Sequence, residues 1–373
     1  MGSVVKLFCR PANRMRRLIR IGRLCRRVRP LLSREYRRVF RRVVRLCRQE
    51  RFLPDEAFRL GLFDPGLSEE ELACFVSRKK LTGVQESLNP VPWAPLLKDK
   101  SLLYRYCRAV GIRIPELYAI YFKGMPGWSN AGSFIDGAND WASFIDDRLP
   151  HEFIIKPAQS ALGKGLMAFR RSENAFVDAA GLRCSALDIC DLMSGDGEFD
   201  CFVIQQRLRN HPELIRLSGN SNLQTVRMIS FVDMAGGADI LQAQLKLITG
   251  GNVTDNFEYG LTGNIQAQVS LADGKLAHAI TIAPDGSGIK TVAAHPQTDI
   301  CFAGFQLPFW SEARALVRQA ALKFAPVRTI GWDIALTPDG PVVLEGNIWW
   351  NPSNQHKCMG RLLDTLCSDL PMP

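Results

Sequence analysis

The sequence predicts an α+β fold that follows a helical N-terminal region, and three observations predict it. From Phe153 onward, short apolar segments of strand length alternate with helical segments and turns. Several of these segments are separated by tight turns such as Ala272-Asp273-Gly274, which is typical of antiparallel hairpins. The first fifty residues instead repeat apolar residues at helical spacing.

Composition limits the class of protein. The chain has 373 residues, enough for two or three domains, and 46% of them are apolar. No apolar run approaches the roughly 18 to 20 residues that span a bilayer, and no secretory apolar segment precedes the N-terminal arginines. The 11 cysteines form no C-x-x-C pair and the five histidines are isolated. We therefore expect a cytoplasmic protein with free thiols, without zinc or thiol catalysis.

The net charge of +10 comes from the N-terminal segment, residues 1–51. Residues 1–51 carry Lys6 and seventeen arginines against only Glu35 and Glu50, a net charge of +16 that leaves −6 for the rest of the chain. The overall basicity therefore says nothing about the substrate of the globular part.

This basic arm has the pattern of two amphipathic helices. Apolar residues recur in two stripes between the arginines, with a break near Pro30 and Ser33. The stripes are Leu18, Ile21, Cys25, Val28 and Leu32, then Tyr36, Val39, Phe40, Val43 and Cys47. One interpretation is docking on an anionic membrane at its inner face, and nucleic acid ranks below it because aromatic residues are few. The alternatives are an organellar transit peptide, or stripes that pack on the body of the chain.

The segments after the arm are predicted in order. Short helices are expected over 54–80, one of them after a Ser68 cap, and a further helix over 98–110 is ended by Gly111. A strand is expected over 112–120, and residues 124–141 are expected to form a connection. The remaining predicted strands are 152–156, 166–170, 201–206, 224–232, 240–248, 264–271, 276–282, 331–336 and 341–346.

The last two strands predict a carboxylate site. They flank a Pro-Asp-Gly turn, and a turn centred on Asp339 would place Asp333 directly opposite Glu345 on one face of the sheet. Asn347 lies two residues further along and shares that face. Two like charges placed opposite each other are unfavourable without a cation, and hard oxygen ligands suit Mg²⁺. The alternative is that both acids are ordinary edge-strand charges.

Three further segments carry polar groups on apolar strands. Lys156 interrupts a strand that runs into a loop of small residues containing Ser160, Gly163, Lys164 and Gly165, where backbone N–H groups could approach a phosphate. The spacing is not that of a Walker loop. Strand 201–206 leads into a polar segment whose backbone could meet an adenine. Arg227 and Lys246 are single cations within strands and suit phosphoryl or carboxylate oxygens, although each could instead lie on a solvated face.

In this order, the segments resemble the ATP-grasp superfamily, and more closely its sugar-transfer-associated branch related to α-L-glutamate ligases. The resemblance spans roughly residues 54–365 and includes Arg59-Leu60-Gly61-Leu62-Phe63, Gly111-Ile112-Arg113-Ile114-Pro115 and Asp255-Asn256-Phe257. It departs at Glu258-Tyr259, where relatives often carry two glycines, and at Gln206, where many carry an acid.

The resemblance implies an ATP-grasp fold, in which two α+β subdomains clamp ATP, and it implies roles for the site residues. Lys100 and Lys156 would contact ATP phosphates under the 160–165 loop, Gln206, Arg207 and Leu208 would lie at the adenine, and Glu213 at the ribose. Arg227 would stabilise the transferring phosphoryl group or the acyl phosphate, and Lys246 is the second candidate catalytic residue. Asp333, Glu345 and Asn347 would hold Mg²⁺.

The implied division is a basic arm over 1–52, an N-terminal region over 53–128, a lid subdomain over 129–206 and a C-terminal subdomain with the magnesium site over 207–373. The implied activity is Mg-ATP-dependent ligation of a carboxylate to an amine or hydroxyl through an acyl phosphate, in surface polysaccharide or related envelope biosynthesis. The alternatives are a small-molecule kinase of the same fold and a non-catalytic nucleotide-binding protein tethered by its arm.

Overall fold

Two antiparallel sheets and their covering helices account for most of the chain in the computed structural model, which describes residues 4–28, 33–351 and 359–369. The α-helices are α1 Val4–Cys25, α2 Ser33–Gln49, α3 Pro54–Arg59, α4 Glu69–Ala73, α5 Arg78–Leu88, α6 Ala94–Lys98, α7 Lys100–Ala109, α8 Gly137–Arg148, α9 Ala186–Ser194, α10 Pro212–Ser218, α11 Trp310–Lys323 and α12 Met359–Ser368. Short 3₁₀ turns lie at Val91–Trp93 and Glu258–Gly260.

The strands divide between the sheets in sequence order. They are β1 Leu117–Phe122, β2 Met125–Ser129, β3 Phe134–Ile135, β4 Glu152–Pro157, β5 Met167–Ser172, β6 Ala175–Asp178, β7 Arg183–Cys184, β8 Cys201–Gln206, β9 Thr225–Val232, β10 Ala238–Leu247, β11 Ile265–Val269, β12 Leu276–Ile282, β13 Ile289–Val292, β14 Thr329–Thr337 and β15 Gly340–Asn347. The first sheet has the order β3-β2-β1-β8-β4-β5-β6-β7, and the second has the order β13-β12-β11-β10-β9-β14-β15. The α+β class is confirmed.

Each sheet buries its own apolar core. The first sheet packs Phe153, Phe169 and Phe202 against the helices α8 and α9. The second sheet packs its central strands, with Trp332 at 0% exposure, against α11. Because each strand alternates its side chains between two faces, these cores leave the opposite faces of some strands to carry polar groups.

The nine strands predicted from 152 onward are all present within a few residues, but the prediction for 124–141 is wrong. The structure places β2, β3 and the start of α8 in that segment. Its glycine, serine and asparagine content favours a connection, yet β2 pairs with β1 and β3 pairs with β2. Tertiary pairing therefore overrides local composition here.

Helix α7 begins at the cavity between the sheets. Asp99 caps it by accepting hydrogen bonds from the N–H groups of Ser101 and Leu102, and the backbone N–H of Lys100 donates to the carbonyl of Ala158 at 2.9 Å. These contacts fix the helix start against the loop that follows β4. Tyr104, one turn along, is 0% exposed.

The arm packs on the rest of the chain through its apolar stripes. Ile21 of α1 and Val39 and Val43 of α2 are all 0% exposed and join a cluster with Phe58 and Phe63. The alternative in which the stripes pack on the body of the chain is therefore confirmed for these residues. Pro30 and Leu32 lie outside the described residues.

The predicted boundaries of the four regions stay a prediction. Residue 128 lies within β2, so the first sheet takes strands from both sides of the proposed 128/129 boundary. Residue 206 is the last residue of β8 and ends that sheet's sequence span. Within the described residues, every helix is too short or too polar to cross a membrane.

Candidate active site

A cavity of about 1370 Å³ lies between the two sheets. The first sheet and its loops contribute Lys156 and the loop after β4, and the second sheet contributes Lys246, Asp333 and Glu345. Lys100 reaches the same cavity from the start of α7. These predicted residues, which come from separate sequence segments, thus line one cavity.

The β14–β15 hairpin places Asp333 opposite Glu345, as expected, but the turn has a different centre and the ladder contains a bulge. The turn pairs Thr337 with Gly340, so its centre lies half a residue before Asp339. A β-bulge between Asp333 and Ile334 then adds one residue to β15, Leu344, and restores the pairing of Asp333 with Glu345. The pairing is confirmed, and the assumed turn centre is wrong because a regular ladder was assumed.

Asp333 is held by two cations. The guanidinium of Arg227 donates from Nε to Oδ1 at 2.7 Å and from Nη2 to Oδ2 at 2.9 Å, and the Nζ of Lys246 lies 3.3 Å from Oδ1. Burial alone would raise the pKa of the Asp333 carboxyl, but these two cations outweigh it and lower the pKa to about 2. The carboxylate is therefore charged at neutral pH although its side chain is almost fully buried.

Asp255 completes this buried charge network. It was not among the site residues predicted from the sequence. Its carboxylate accepts hydrogen bonds from the backbone N–H and the hydroxyl of Thr225, at 2.9 and 2.6 Å, and from the Nζ of Lys246 at 3.2 Å. Burial raises its pKa, an effect that Lys246 opposes and Asp333 reinforces. Its place in the Asp255-Asn256-Phe257 segment of the family resemblance was the signal that could have identified it.

Glu345 is the more accessible of the two opposed carboxylates, with a side chain 35% exposed. Its Oε1 lies 3.6 Å from the Nζ of Lys100, which also donates to the carbonyl of Ser160 at 3.1 Å. Asn347 lies beside it in a smaller cavity of about 280 Å³ that Lys100 and Glu345 also line. The Asn347 amide donates to the carbonyl of Gly331 at 3.3 Å.

Lys156 is 5% exposed, and its ammonium donates to the hydroxyl of Tyr104 at 2.8 Å. Burial lowers the pKa of Lys156 to about 8; the charge of Glu345 opposes this shift and that of Lys100 adds to it. A buried ammonium of this kind gains stability when an anion enters the cavity. Tyr104 is the second site residue that the sequence analysis missed, although it follows Lys100 by one helical turn.

The loop after β4 lies across the cavity and contacts the second sheet's connecting segment. Gly163 has φ +76, and a Cβ placed on it would come within 2.8 Å of the Cγ2 of Thr254. The loop is also anchored where Gln159 donates to Asp99 at 2.9 Å. Lys164 points to Glu198, 2.6 Å away, rather than into the charge network, while Gly165 (φ +72) supplies the next left-handed residue.

Gln206, the last residue of β8, and Arg207 and Leu208 after it also line the cavity, and their predicted place at an adenine stays a prediction. The buried Oε1 of Gln205 lies at this wall and has no hydrogen-bond partner among the described residues. Glu213 lies outside the cavity lining, at the first turn of α10, where it pairs with Arg216 at 2.6 Å. Arg227 stands behind Asp333 rather than on the cavity wall.

The departure at Glu258 and Tyr259 keeps the backbone shape that glycines would favour. Glu258 has φ 43 and Tyr259 has φ 59, so two consecutive non-glycine residues occupy the left-handed region. Such residues cost free energy and persist where surrounding contacts hold them. The Tyr259 hydroxyl lies 3.3 Å from the Oδ1 of Asn351, and its ring packs against the apolar cluster of the arm.

Comparison with known proteins adds the following. A family model described as sugar-transfer associated ATP-grasp matches residues 82–355. The comparison with curated proteins finds no match. Among solved structures, the chain is similar to the D-alanine-D-alanine ligase of Coxiella burnetii, with 11% identity, a TM-score of 0.42, and coverage of 78% of this chain and 64% of that one.

Two other solved structures are similar to a comparable degree. The N5-carboxyaminoimidazole synthase of Aspergillus clavatus has 11% identity and a TM-score of 0.42, with 80% of this chain and 59% of that one covered. The biotin carboxylase of Campylobacter jejuni has 8% identity and a TM-score of 0.44, with 77% and 49% covered. The chain thus spans less than two thirds of the length of each of these three proteins.

Proposed function

The chain belongs to the sugar-transfer-associated ATP-grasp family, and from that premise we propose that it is a Mg-ATP-dependent ligase that joins a carboxylate to an amine or hydroxyl. The observation that carries the proposal is the row of charges across neighbouring strands of the second sheet. Arg227 of β9 pairs with Asp333 of β14, which pairs with Glu345 of β15. Isolated buried charges are costly, so a row of them at a cavity favours a role in binding charged ligands.

ATP would lie with its phosphates toward Lys100 and Lys156 and its base toward residues 206–208. The cavity of about 1370 Å³ is large enough for a nucleotide together with a second substrate. The loop containing Ser160, Gly163 and Gly165 would cover the phosphates with its backbone N–H groups. Lys164 forms a salt bridge with Glu198, and Glu213 forms one with Arg216. These two residues would contact the nucleotide only after their salt bridges open.

The carboxylates fit a magnesium ion that brings phosphate and water ligands of its own. Glu345 offers an accessible carboxylate, Asn347 an amide oxygen and Asp333 a carboxylate that Arg227 already orients. Among the described residues, no group of three or more His, Cys, Asp or Glu is placed to hold a metal without further ligands. When bound, the ion would neutralise charge on the phosphates.

In the proposed reaction a carboxylate oxygen attacks the γ-phosphorus of ATP, the bond to the bridging oxygen breaks, and ADP leaves. The acyl phosphate is then attacked at its carbonyl carbon by an amine or hydroxyl, which loses a proton as phosphate departs. Arg227 and Lys246 would hold the Asp333 carboxylate, and Lys246, which lines the cavity, would stabilise negative charge at the transferring group. The chain supplies positioning and charge rather than a covalent nucleophile.

The family description supports a substrate connected with sugar transfer, so we place the reaction in the assembly of surface polysaccharide or a related envelope polymer. The carboxylate and its acceptor would be small molecules handled in the cytoplasm. Nucleic acid is not the expected partner, because the globular part after residue 51 carries a net charge of −6.

The arm would hold the enzyme at the inner face of an anionic membrane through its arginines. Among the described residues, the buried members of its apolar stripes pack on the body of the chain, so their insertion into lipid is not expected. Arg16, Arg23, Arg37 and Arg41 are exposed and form no salt bridge among the described residues. Juxtamembrane arginines of this kind contribute about 1 kcal/mol each to binding of anionic lipid.

The activity is tested by adding candidate sugar acids and amino acids to the full-length protein with Mg-ATP, and hydroxylamine as a general nucleophile that traps acyl phosphates. A ligase releases ADP and inorganic phosphate in equal amounts and forms a hydroxamate from the carboxylate. ADP release without inorganic phosphate would instead indicate a phosphotransferase. Wild-type protein that binds ATP but releases no ADP with any carboxylate would contradict the proposal.

A further inference from the structure

One hydroxyl group joins the two halves of the site. The Oη of Tyr104 accepts a hydrogen bond from the Nζ of Lys156 on β4 at 2.8 Å and donates one to the carbonyl of Leu344 on β15 at 3.0 Å. The first strand belongs to the first sheet and the second to the second sheet. A phenol has one hydrogen to donate, so these two bonds use its donor and one acceptor position.

The bond to Leu344 falls on the residue that makes the bulge. Leu344 is the extra residue between the pairs Ile334–Val343 and Asp333–Glu345. In a regular ladder Leu344 would stand opposite Asp333. Because successive side chains of a strand point to opposite faces, a shift of one residue would turn Glu345 away from Asp333. A contact that holds the Leu344 carbonyl therefore also holds the two carboxylates together.

Lys100, on the same face of α7 as Tyr104, also contacts both sides of the cavity. Lys100 lies four residues before Tyr104 on α7, and residues at that spacing share a helix face. Its Nζ lies 3.6 Å from Glu345 and donates to the carbonyl of Ser160, in the loop after the strand of Lys156. Both polar side chains are buried, at 6% exposure for Lys100 and 0% for Tyr104.

We propose that Tyr104 is a positioning residue that fixes, through its single hydroxyl group, both the ammonium of Lys156 and the bulge that aligns Glu345 with Asp333. The inference rests on the proposed function, since Lys156 would meet ATP phosphates and Glu345 the magnesium ion. Tyr104 itself is not expected to touch the reacting atoms. Its loss should therefore affect nucleotide binding in two separable ways, one without magnesium and one with it.

The test measures ATP affinity by calorimetry for full-length wild type and Tyr104→Phe, each in EDTA and in excess Mg²⁺. The affinity in EDTA measures the effect on Lys156 and its contact with the phosphates. The ratio of the affinities with and without Mg²⁺ measures the effect on the alignment of Glu345 with Asp333. The bond from the Lys156 ammonium is charge-assisted, and loss of a hydrogen bond to a charged group weakens an equilibrium by roughly tenfold or more. We expect Tyr104→Phe to bind ATP about tenfold more weakly in EDTA and to lose about tenfold of the magnesium-dependent gain.

Tyr106→Phe is the matched control. Tyr106 lies on the same helix, and its hydroxyl also donates to a backbone carbonyl, that of Lys323, away from the cavity. Tyr104→Phe loses two hydrogen bonds and Tyr106→Phe loses one, so a merely structural effect would lower the melting temperature in both. Only Tyr104→Phe should change the two affinities. Identical affinities for Tyr104→Phe and Tyr106→Phe would overturn the proposal.

A second variant keeps the proposal testable if Tyr104→Phe does not fold. Tyr104→4-aminophenylalanine retains a group that both donates and accepts at the same position. We expect it to preserve the magnesium-dependent gain within about threefold; a folded variant that has lost this gain would refute the role of the hydroxyl position. Failure of the proposed function itself looks different, because the wild-type protein would then bind no ATP in either buffer.

Discussion

Asp333 and Glu345 lie directly opposite each other on neighbouring strands, yet they differ in what holds them. Asp333 accepts two hydrogen bonds from Arg227 and is almost fully buried, whereas Glu345 is about one-third exposed and lies 3.6 Å from Lys100. The first carboxylate is thus part of the folded framework of the site. The second is available to a ligand.

This difference predicts opposite effects of two isosteric changes. Asp333→Asn leaves Arg227 and Lys246 buried without their shared carboxylate, and removal of one partner of a buried ion pair costs about 3 kcal/mol or more. Glu345→Gln should change the free energy of unfolding by less than about 0.5 kcal/mol. Both variants should lose ATP turnover. Chemical denaturation and ADP release measure the two effects; equal stability of the two variants would contradict the assignment of Asp333 to the framework.

The pKa of Lys156 predicts a pH dependence of ATP binding. Burial lowers this pKa to about 8, so the free protein loses the ammonium charge as the pH rises through 8. ATP phosphates favour the charged form, and the affinity should therefore fall only about twofold from pH 7 to 8 and by up to about tenfold per pH unit above it. Calorimetry with EDTA present measures this.

The control for that prediction is Lys156→Arg, because a guanidinium stays protonated throughout the range. Its affinity, even if lower, should not change between pH 8 and 9.5. A wild-type affinity that also stays constant over that range would show that Lys156 does not meet the phosphates.

The free energy of unfolding should also depend on the protonation of Lys156, but it should rise with pH rather than fall. Since the pKa of Lys156 is lower in the folded chain than in the unfolded chain, the unfolded chain binds more protons between about pH 8 and 10.5. Stability contributed by this group therefore rises with pH across that window. Lys156→Met should abolish this contribution, and urea denaturation at pH 8 and 9.5 measures it.

The loop after β4 should be sensitive to a single methyl group. Gly163→Ala places an alanine at φ +76 with its Cβ within 2.8 Å of Thr254, so the closed loop is strained by at least about 1 kcal/mol. We expect ATP affinity to fall about tenfold. Gly236→Ala is the matched control, because Gly236 has φ +83 with nothing within 4 Å and lies in the β9–β10 turn. Equal ATP affinities in the two variants would contradict closure of the loop over the nucleotide.

Membrane binding by the arm is best tested by neutralising its arginines. Truncation is less suitable, because removing the arm would expose the apolar cluster around Phe58 and Phe63. Changing Arg16, Arg23, Arg37 and Arg41 together to Gln removes about 4 kcal/mol of attraction to anionic lipid. Flotation with vesicles containing phosphatidylserine should be lost, while the melting temperature and ATP binding stay near those of wild type. Undiminished flotation of this variant would exclude these arginines as the membrane contact.

Much of the fold was predictable because the strands are apolar and bounded by turns. The nine strands predicted from 152 onward and the Ser68 cap are where periodicity and capping chemistry place them, whereas the short strands β6, β7 and β13 were not predicted. The β2 and β3 strands were not predicted either, since the Gly- and Ser-containing segment around them forms strands only by pairing with β1 and with itself. Local propensity carries no information about such pairing.

The site was predictable to the extent that its residues interrupt apolar strands. Lys156, Lys246 and Asp333 stand out in sequence because a charge within such a strand needs a partner. Tyr104 gives no such signal, since a tyrosine on an apolar helix face is ordinary until its hydroxyl is seen between two sheets. The bulge at Leu344 could not be inferred either, because the turn and the alternating residues of the hairpin predict a regular ladder.

We propose that the opposed carboxylates and the buried lysines form a site for ATP with magnesium. Calorimetric titration of the full-length protein with ATP, with and without Mg²⁺, tests this for wild type and Glu345→Gln. We expect wild type to bind ATP more tightly when magnesium is present, and Glu345→Gln to bind with the same affinity in both buffers. Absence of ATP binding by the wild-type protein in either buffer would exclude this site as the place where ATP binds.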